Sequence, residues 1–343
     1  MKGTTIVLDH INGREAAARM VSGKLDDLLI DAPNRPRIGS IHLVKADRQM
    51  KGQGGIFVSH QDRFFLRQAK SVKPGEILMV QVVSHAEDGK APPVATKVVF
   101  KSRYVIVTPD APGINIARSI RDDDERDRLL VIARELLGDL GYGIILRSSC
   151  VGADEDAIAD DLEDMIGQAQ AVLAQAAEGT PGVLSTGDGP HVLAWRDWDD
   201  ADDVVTSAGS FEDLGVLDQI DALEDPKAVM GAATTYIEPT RALVAVDVNT
   251  GGDTSLAAGL KANLSVARGL PRQLRLRGLG GQIVVDFAPM TKNDRKQVQT
   301  AMVASLKTDG VETSCVGWTP LGLFELQRKR ERLPLSETLG DLT

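Results

Sequence analysis

Apolar residues recur along this chain at two spacings, and the change from one to the other outlines its parts. Short β-like runs open it, at residues 4–8 and 24–30, with a turn at Gly13-Arg14-Glu15-Ala16 between them. From residue 36 to about 100 the runs stay short and turns separate them, at 38–45, 55–58, 64–66, 77–83 and 94–100, a pattern that predicts a small barrel. Helical periodicity follows over 119–137 behind an acidic start and stops at Gly141-Tyr142-Gly143; a strand, Ile144-Ile145-Leu146-Arg147, precedes a second helix over 154–177. Residues 179–226 carry the weakest pattern, with a strand expected at Val192-Leu193-Ala194-Trp195 and a helix over 211–223. In the last third an apolar run closes in Asp247, a long helical stretch intervenes, and a second apolar run closes in Asp286. Strands alternating with helices in this way predict an α/β protein of several modules.

The two aspartates are the strongest chemical signal. In a β–helix–β unit the strands run parallel and the crossover is right-handed, so side chains at both carboxyl ends emerge on one edge of the sheet. Asp247 and Asp286 are therefore expected to share a cation. Asn249, two residues beyond Asp247, returns to the same face and offers an amide to orient or bind. A hard divalent ion such as Mg²⁺ suits this oxygen set. Such a site could activate water for phosphodiester hydrolysis without a His or Cys nucleophile, which agrees with five scattered histidines (His10, His42, His60, His85, His191) at no ligand spacing. The competing reading is that each Asp merely caps the element that follows. Arg272, Arg275 and Arg277 likewise have two readings: they complement a helix dipole, or they receive a polyanion lying across the metal.

Four ordered strings carry a resemblance. They are Val-Asp-Val-Asn-Thr-Gly-Gly-Asp (246–253), Arg-Gln-Leu-Arg-Leu-Arg-Gly-Leu-Gly-Gly (272–281), Val-Val-Asp-Phe (284–287) and Leu-Gly-Leu-Phe-Glu-Leu-Gln-Arg-Lys-Arg (321–330). Residues 240–332 resemble the DNase I-like catalytic subdomain of the ribonuclease E/G family. The resemblance implies a multi-domain α/β fold: an RNase H-like scaffold (1–35 and a shortened 179–230) with an inserted OB-fold barrel (36–100) and a 5′-sensor subdomain (101–178), then the catalytic subdomain (231–343). It implies a Mg²⁺-dependent endoribonuclease that hydrolyses single-stranded RNA and leaves a 5′-phosphate on the downstream product. Asp247 and Asp286 fall on the family's metal ligands and Asn249 on its helper. Arg147 and Ser148 match its 5′-monophosphate pocket, with Ser standing for the family's Thr. Phe57 and Phe65 fall near its base-stacking aromatics and Lys90 near a basic position of the last hairpin, while Arg328 and Arg330 are expected to neutralise phosphates. Barrel packing for the phenylalanines, and a buried Arg–Asp pair for Arg147, stand as alternatives.

Composition bounds these expectations. A chain of 343 residues, 43% hydrophobic, can bury several cores. No apolar run reaches membrane-spanning length and the amino end lacks a signal-peptide core, so a cytoplasmic location with no membrane partner is expected. Two lone cysteines, Cys150 and Cys315, suit a reducing compartment, and no paired-cysteine zinc link follows Arg332, so a zinc-linked tetramer is not expected; the oligomeric state stays open. The net charge of −10 works against non-specific RNA binding, which rests on Lys and Arg. Acids concentrate at 122–125, 154–164 and 197–203, the first two at expected helix starts, where they favour the dipole. Two other functions compete with the nuclease: a noncatalytic RNA-binding protein that keeps the scaffold, and a metal-dependent phosphatase for small nucleotides.

Overall fold

A computed structural model describes residues 3–50, 54–60, 62–69, 72–87, 89–138, 140–198 and 201–340. Part of the polar stretch 45–54, two residues of the third acidic group and the last three residues of the chain lie outside them. The chain forms two compact units, Met1–Asp31 with Ala201–Thr343, and Ala32–Asp200.

The first unit begins with an antiparallel meander, β1 (Thr4–Ile11), β2 (Arg14–Val21) and β3 (Lys24–Ile30). β2 begins within the expected turn. Its Ala16, Ala17 and Ala18 have little intrinsic strand preference, but pairing on both sides and complete burial hold them extended.

The second unit opens with β4 (Ile41–Met50), β5 (Gly54–Ser59), β6 (Asp62–Leu66), β7 (Ile77–Val82) and β8 (Pro93–Ala95). They pair in the order β4-β5-β6-β8-β7 and β7 returns to β4, closing a five-stranded barrel consistent with an OB-fold. Val44, Phe57, Phe64, Leu66, Val80 and Val82 fill it. A second sheet follows from β9 (Phe100–Lys101), β10 (Val105–Thr108), β11 (Gly113–Ile116) and β12 (Gly143–Leu146), in the order β11-β12-β10-β9. Helices α1 (Asp123–Leu137) and α2 (Glu155–Ala177) cover it through Leu129, Ile132, Ile158 and Leu162. The acids predicted to open these helices do so: Asp122 accepts from the Glu125 amide, and Asp154 from those of Asp156 and Ala157. The unit ends with β13 (Gly182–Ser185), paired to β4, and helix α3 (Pro190–Asp197). Helix α3 replaces the strand expected at 192–195. Gly189 and Pro190 start it, since a proline at the first helical position needs no amide partner.

Back in the first unit, β14 (Asp203–Val205) runs parallel to β1. The single helix expected over 211–223 is two short ones, α4 (Ser210–Asp213) and α5 (Val216–Asp221), parted by Gly215 at φ +64°. The rest is one layered module: β15 (Lys227–Met230), β16 (Ala233–Pro239), β17 (Val244–Asn249), α6 (Leu256–Leu276), β18 (Gly281–Asp286), α7 (Lys292–Thr308), β19 (Thr313–Trp318), β20 (Phe324–Arg328) and α8 (Leu335–Gly340). Its sheet order is β15-β16-β17-β18-β20-β19, with β17 and β18 parallel. Alternate residues such as Val244, Val246, Ile283, Val285, Phe324 and Leu326 share a core with α6 and α7; the other set, including Asp247, Asn249 and Asp286, is exposed. Helix α6 runs unbroken through Pro271, which is buried.

A cluster of ion pairs ties the first meander to this module. Arg275 reaches Asp309, the Asp26 carbonyl at 2.8 Å and Asp26 Oδ2 at 3.3 Å. Its Nε lies 3.3 Å from Asp27 Oδ1, within ion-pair range but without hydrogen-bond geometry. Arg328 donates to Asp309 at 2.7 Å, both side chains being 1% exposed, and Arg332 pairs with Asp27. Burial raises the Asp27 carboxyl, but the guanidinium groups of Arg332 and Arg275 outweigh it and hold the group below its ordinary value.

Removing one partner of a buried pair strands the other charge. We expect Arg328→Ala to cost about 3–5 kcal/mol, read as a lower urea midpoint for the Met1–Asp31/Ala201–Thr343 unit. A second expectation concerns the barrel. His42 is buried against Phe64, with ring centroids 4.6 Å apart, and its Nε2 lies 2.9 Å from Ser40 Oγ. Burial pushes this imidazole below its ordinary pKa, opposed by Asp62. A depressed histidine gives stability that is complete above the unfolded value and is lost as pH falls below it. Unfolding midpoints at about pH 7.5 and about pH 5.5, either side of the ordinary histidine value, should differ more for the native protein than for His42→Phe.

Candidate active site

Parallel pairing of β17 and β18 sets Asp247 directly beside Asp286 in the ladder. Both are the last or near-last residues of their strands and lie on the exposed face. Asn249 donates its amide to Asp247 Oδ2 at 2.6 Å, which fixes the carboxylate's rotation and leaves its other oxygen for a ligand. Among the described residues no group of three or more His, Cys, Asp or Glu is placed to hold a metal. The donor set is thus two carboxylates and an amide on an open face, which fits Mg²⁺, an ion that keeps several waters and takes one or two protein carboxylates.

One positioning residue escaped the sequence reading. Asn263 on α6 is fully buried, donates to the Ala288 carbonyl at 2.9 Å and accepts from the Ala288 amide at 3.0 Å. This two-way clamp holds the backbone two residues beyond Asp286. Gly259, one turn earlier, has no room for a Cβ, which would stand 2.7 Å from the Pro289 carbonyl oxygen. An asparagine inside the apolar stripe of a helix was the available signal.

At the end of β12, Arg147 donates to the carbonyls of Ser102, Arg103 and Arg196, the last two at 3.1 Å, and to Asp197 Oδ1 at 2.8 Å. Lys101, at 2.9 Å, and Arg196 also contact Asp197. Burial raises the Asp197 carboxyl, but Arg196 and Lys101 overcome this and hold it far below the ordinary range. Arg147 is thus half-buried and paired with a carboxylate of its own chain, although Asp197 is exposed, so the pair is not the buried one that stood as the alternative. Ser148 is exposed and begins a single 3₁₀ turn.

A sequence model of the Ribonuclease E/G family matches residues 99–207 and 200–331. The chain belongs to the ribonuclease E/G family. Among curated relatives, a Nostoc ribonuclease E is 28% identical over 389 residues, covering 95% of this chain and 56% of that protein. A ribonuclease E from Synechocystis is 29% identical over 78% of this chain and 46% of its own length. Ribonuclease G of Salmonella typhimurium is 29% identical over 81% of this chain and 65% of its own length. The chain therefore spans about half to two-thirds of these relatives.

Within this family member the other expected RNA contacts divide. Phe57 is 1% exposed and fills the barrel, because β5 points Gly55, Phe57 and Ser59 inward; it offers no face to a base. Phe65 points the opposite way from its buried neighbours Phe64 and Leu66 and is half-buried. Lys90 is exposed between β7 and β8 and pairs with Glu87 at 2.5 Å. Arg328 is the buried partner of Asp309 and cannot serve as a phosphate contact. Arg330 lays its guanidinium where a Cβ on Gly281 would stand. Gly281 begins β18 and pairs with Arg328, so both arginines sit about 17 Å, or five strand residues, from Asp286. Arg272, Arg275 and Arg277 are also at that far edge, since α6 runs back from the end of β17 to the start of β18. They bind the Leu25 carbonyl, the Asp26/Asp27/Asp309 group, and the Leu223 and Asp225 carbonyls, rather than a polyanion at the aspartates. No helix among the described residues is long and apolar enough to cross a membrane.

Phe57→Ala should lower stability by about 3–5 kcal/mol, as emptying a packed aromatic site does. Phe65→Ala should leave stability nearly unchanged, and thermal unfolding of the pair checks the assignment.

Proposed function

We propose that this protein is a Mg²⁺-dependent endoribonuclease acting on single-stranded RNA. The observation that carries the reading is the in-register Asp247/Asp286 pair with Asn249 bound to Asp247, in a chain whose family relatives are named ribonucleases. Asp247 and Asp286 would hold the ion, and Asn249, bound to Asp247 Oδ2, would keep that carboxylate turned toward it. When bound, Mg²⁺ lowers the pKa of a coordinated water and neutralises charge on the scissile phosphate. The residues themselves set position: the parallel ladder fixes the separation of the carboxylates, and Asn263 fixes the backbone beyond Asp286. Water oxygen bonds to phosphorus as the P–O3′ bond breaks, leaving a 3′-hydroxyl upstream and a 5′-phosphate downstream.

Arg147 and Ser148 supply a site for a 5′-monophosphate, where the incoming phosphate shares Arg147 with Asp197. An Arg guanidinium with further donors can serve two anions at once. The barrel contributes through the outward Phe65 and through Lys90. The subdomain order follows the family: scaffold, inserted OB-fold barrel and 5′ sensor, shortened scaffold, and DNase I-like catalytic part.

The test is cleavage of a labelled single-stranded RNA carrying a 5′-monophosphate or a 5′-hydroxyl, with Mg²⁺ or EDTA, by the native protein and Asp286→Asn. Cutting should require Mg²⁺, be lost in the variant, and favour the monophosphate. RNA that is bound but left intact by the native protein would instead favour a noncatalytic RNA-binding protein on the same scaffold. Cleavage of mononucleotides alone would favour a phosphatase.

A further inference from the structure

The metal pair is half of a longer row. Lys227 on β15 is registered opposite Tyr236 on β16, Tyr236 opposite Asp247 on β17, and Asp247 beside Asp286 on β18. Residues opposed in a ladder project from the same side of the sheet. All four are exposed, on the face that α6 and α7 leave uncovered. Across three strand spacings, about 14 Å, the open face thus presents a cation, a flat aromatic ring and two carboxylates in a straight line.

Tyr236 is unusual in this protein. Of its thirteen Phe, Trp and Tyr residues, all described, only Trp195 and Tyr236 are exposed, the latter at 39%. An aromatic ring left in water beside an acidic pair does no packing for the core, which lies on the opposite face. The rest of that face offers little to attract a polyanion: Glu238 follows Tyr236 by two residues on β16, and Glu325 on β20 is opposite Val284.

Resting on the nuclease reading above, we propose that Tyr236 and Lys227 form the positioning subsite for the nucleotide next to the scissile phosphate. The base stacks on the Tyr236 ring, and Lys227 contacts the following phosphate. The order of the row matches the order of groups along one strand: a phosphate at the aspartates, then a base, then another phosphate. The base must be unpaired and splayed from its neighbours to lie on the ring, so the subsite selects single strands. Lys227 is a point charge without base readout, so its contribution is independent of sequence.

The experiment uses fluorescent single-stranded RNA oligomers and the full chain. Affinity is read by anisotropy in an Asp286→Asn background with Mg²⁺ present, and KM and kcat are read in the native background. Tyr236→Ala should weaken binding about 5- to 150-fold, the span of one stacked base, raise KM and leave thermal unfolding unchanged. Tyr236→Phe should retain native affinity. A single abasic nucleotide beside the cleavage position should erase the difference between Tyr236 and Ala. Lys227→Ala should weaken all sequences alike and reduce the salt slope of binding by about one contact. If the native protein cuts RNA but Tyr236→Ala and Lys227→Ala bind and cut as it does, the row is only a solvated sheet face and the subsite is refuted while the nuclease stands. If the native protein neither binds nor cuts RNA, the nuclease reading and the subsite fall together.

Discussion

Parallel pairing of β17 with β18 is the constraint on which the rest of the molecule's chemistry depends. Two carboxylates repel one another, and no local preference would set them side by side. The ladder does so because its register is fixed elsewhere: Val244, Val246, Ile283 and Val285 must all face α6 and α7, and a one-residue slip would turn each of them to water. The hydrophobic effect thus holds a like-charged pair in place, and the face turned away from the core inherits whatever spacing the core demands. Asn249 and Asn263 then refine it, one by rotating a carboxylate and the other by holding the chain that leaves β18.

The same topology explains where the positive charge went. A crossover helix carries its carboxyl end to the amino edge of the next strand, so arginines that follow one another closely in sequence with the aspartates are far from them in space. At that edge they meet Asp26, Asp27 and Asp309 and hold the meander β1–β3 against α6. Arg328 joins them because β20 returns antiparallel to β18 and ends where β18 begins. A buried guanidinium with a carboxylate partner stays only where every charge is answered, and this cluster answers most of its own.

The aspartate pair was legible in the sequence because strand, helix and strand were each marked by an unambiguous period, and handedness supplied the rest. The barrel was legible for a similar reason, as its turns separate short runs that cannot be helices. What failed was anything decided by direction within an element. Phe57 and Phe65 look alike in sequence, yet the period of two sends one inward and the other outward, and the register that decides it is set by strand pairing. Arg328 looks like part of a solvated basic run because its partner, Asp309, lies nineteen residues upstream and across a strand. Residues 192–195 read as a strand because Val and Trp favour one, and the decisive signal was the Gly-Pro step just before them. Asp197 passed as one acid in a run, although three cations converge on it.

An acidic chain that acts on RNA must bring polyanions close without a broad field of lysine and arginine. With net charge −10, and with Arg147, Arg277 and Arg328 committed to carboxylates and carbonyls of the chain itself, this protein does not present a net positive field to a polyanion. Long-range steering is correspondingly weak. On the proposed reading, affinity would come from short-range contacts that ignore net charge: a metal that reverses the sign of the field at two aspartates, and an aromatic ring that stacks on bases whatever their sequence. Exposed aromatics are costly in water and scarce here, and Tyr236, on the module that carries the aspartates, stands beside Asp247. On the proposed reading, recognition by metal and ring together requires an unpaired, flexible strand, so the same open sheet face that holds the aspartates would select a single-stranded substrate.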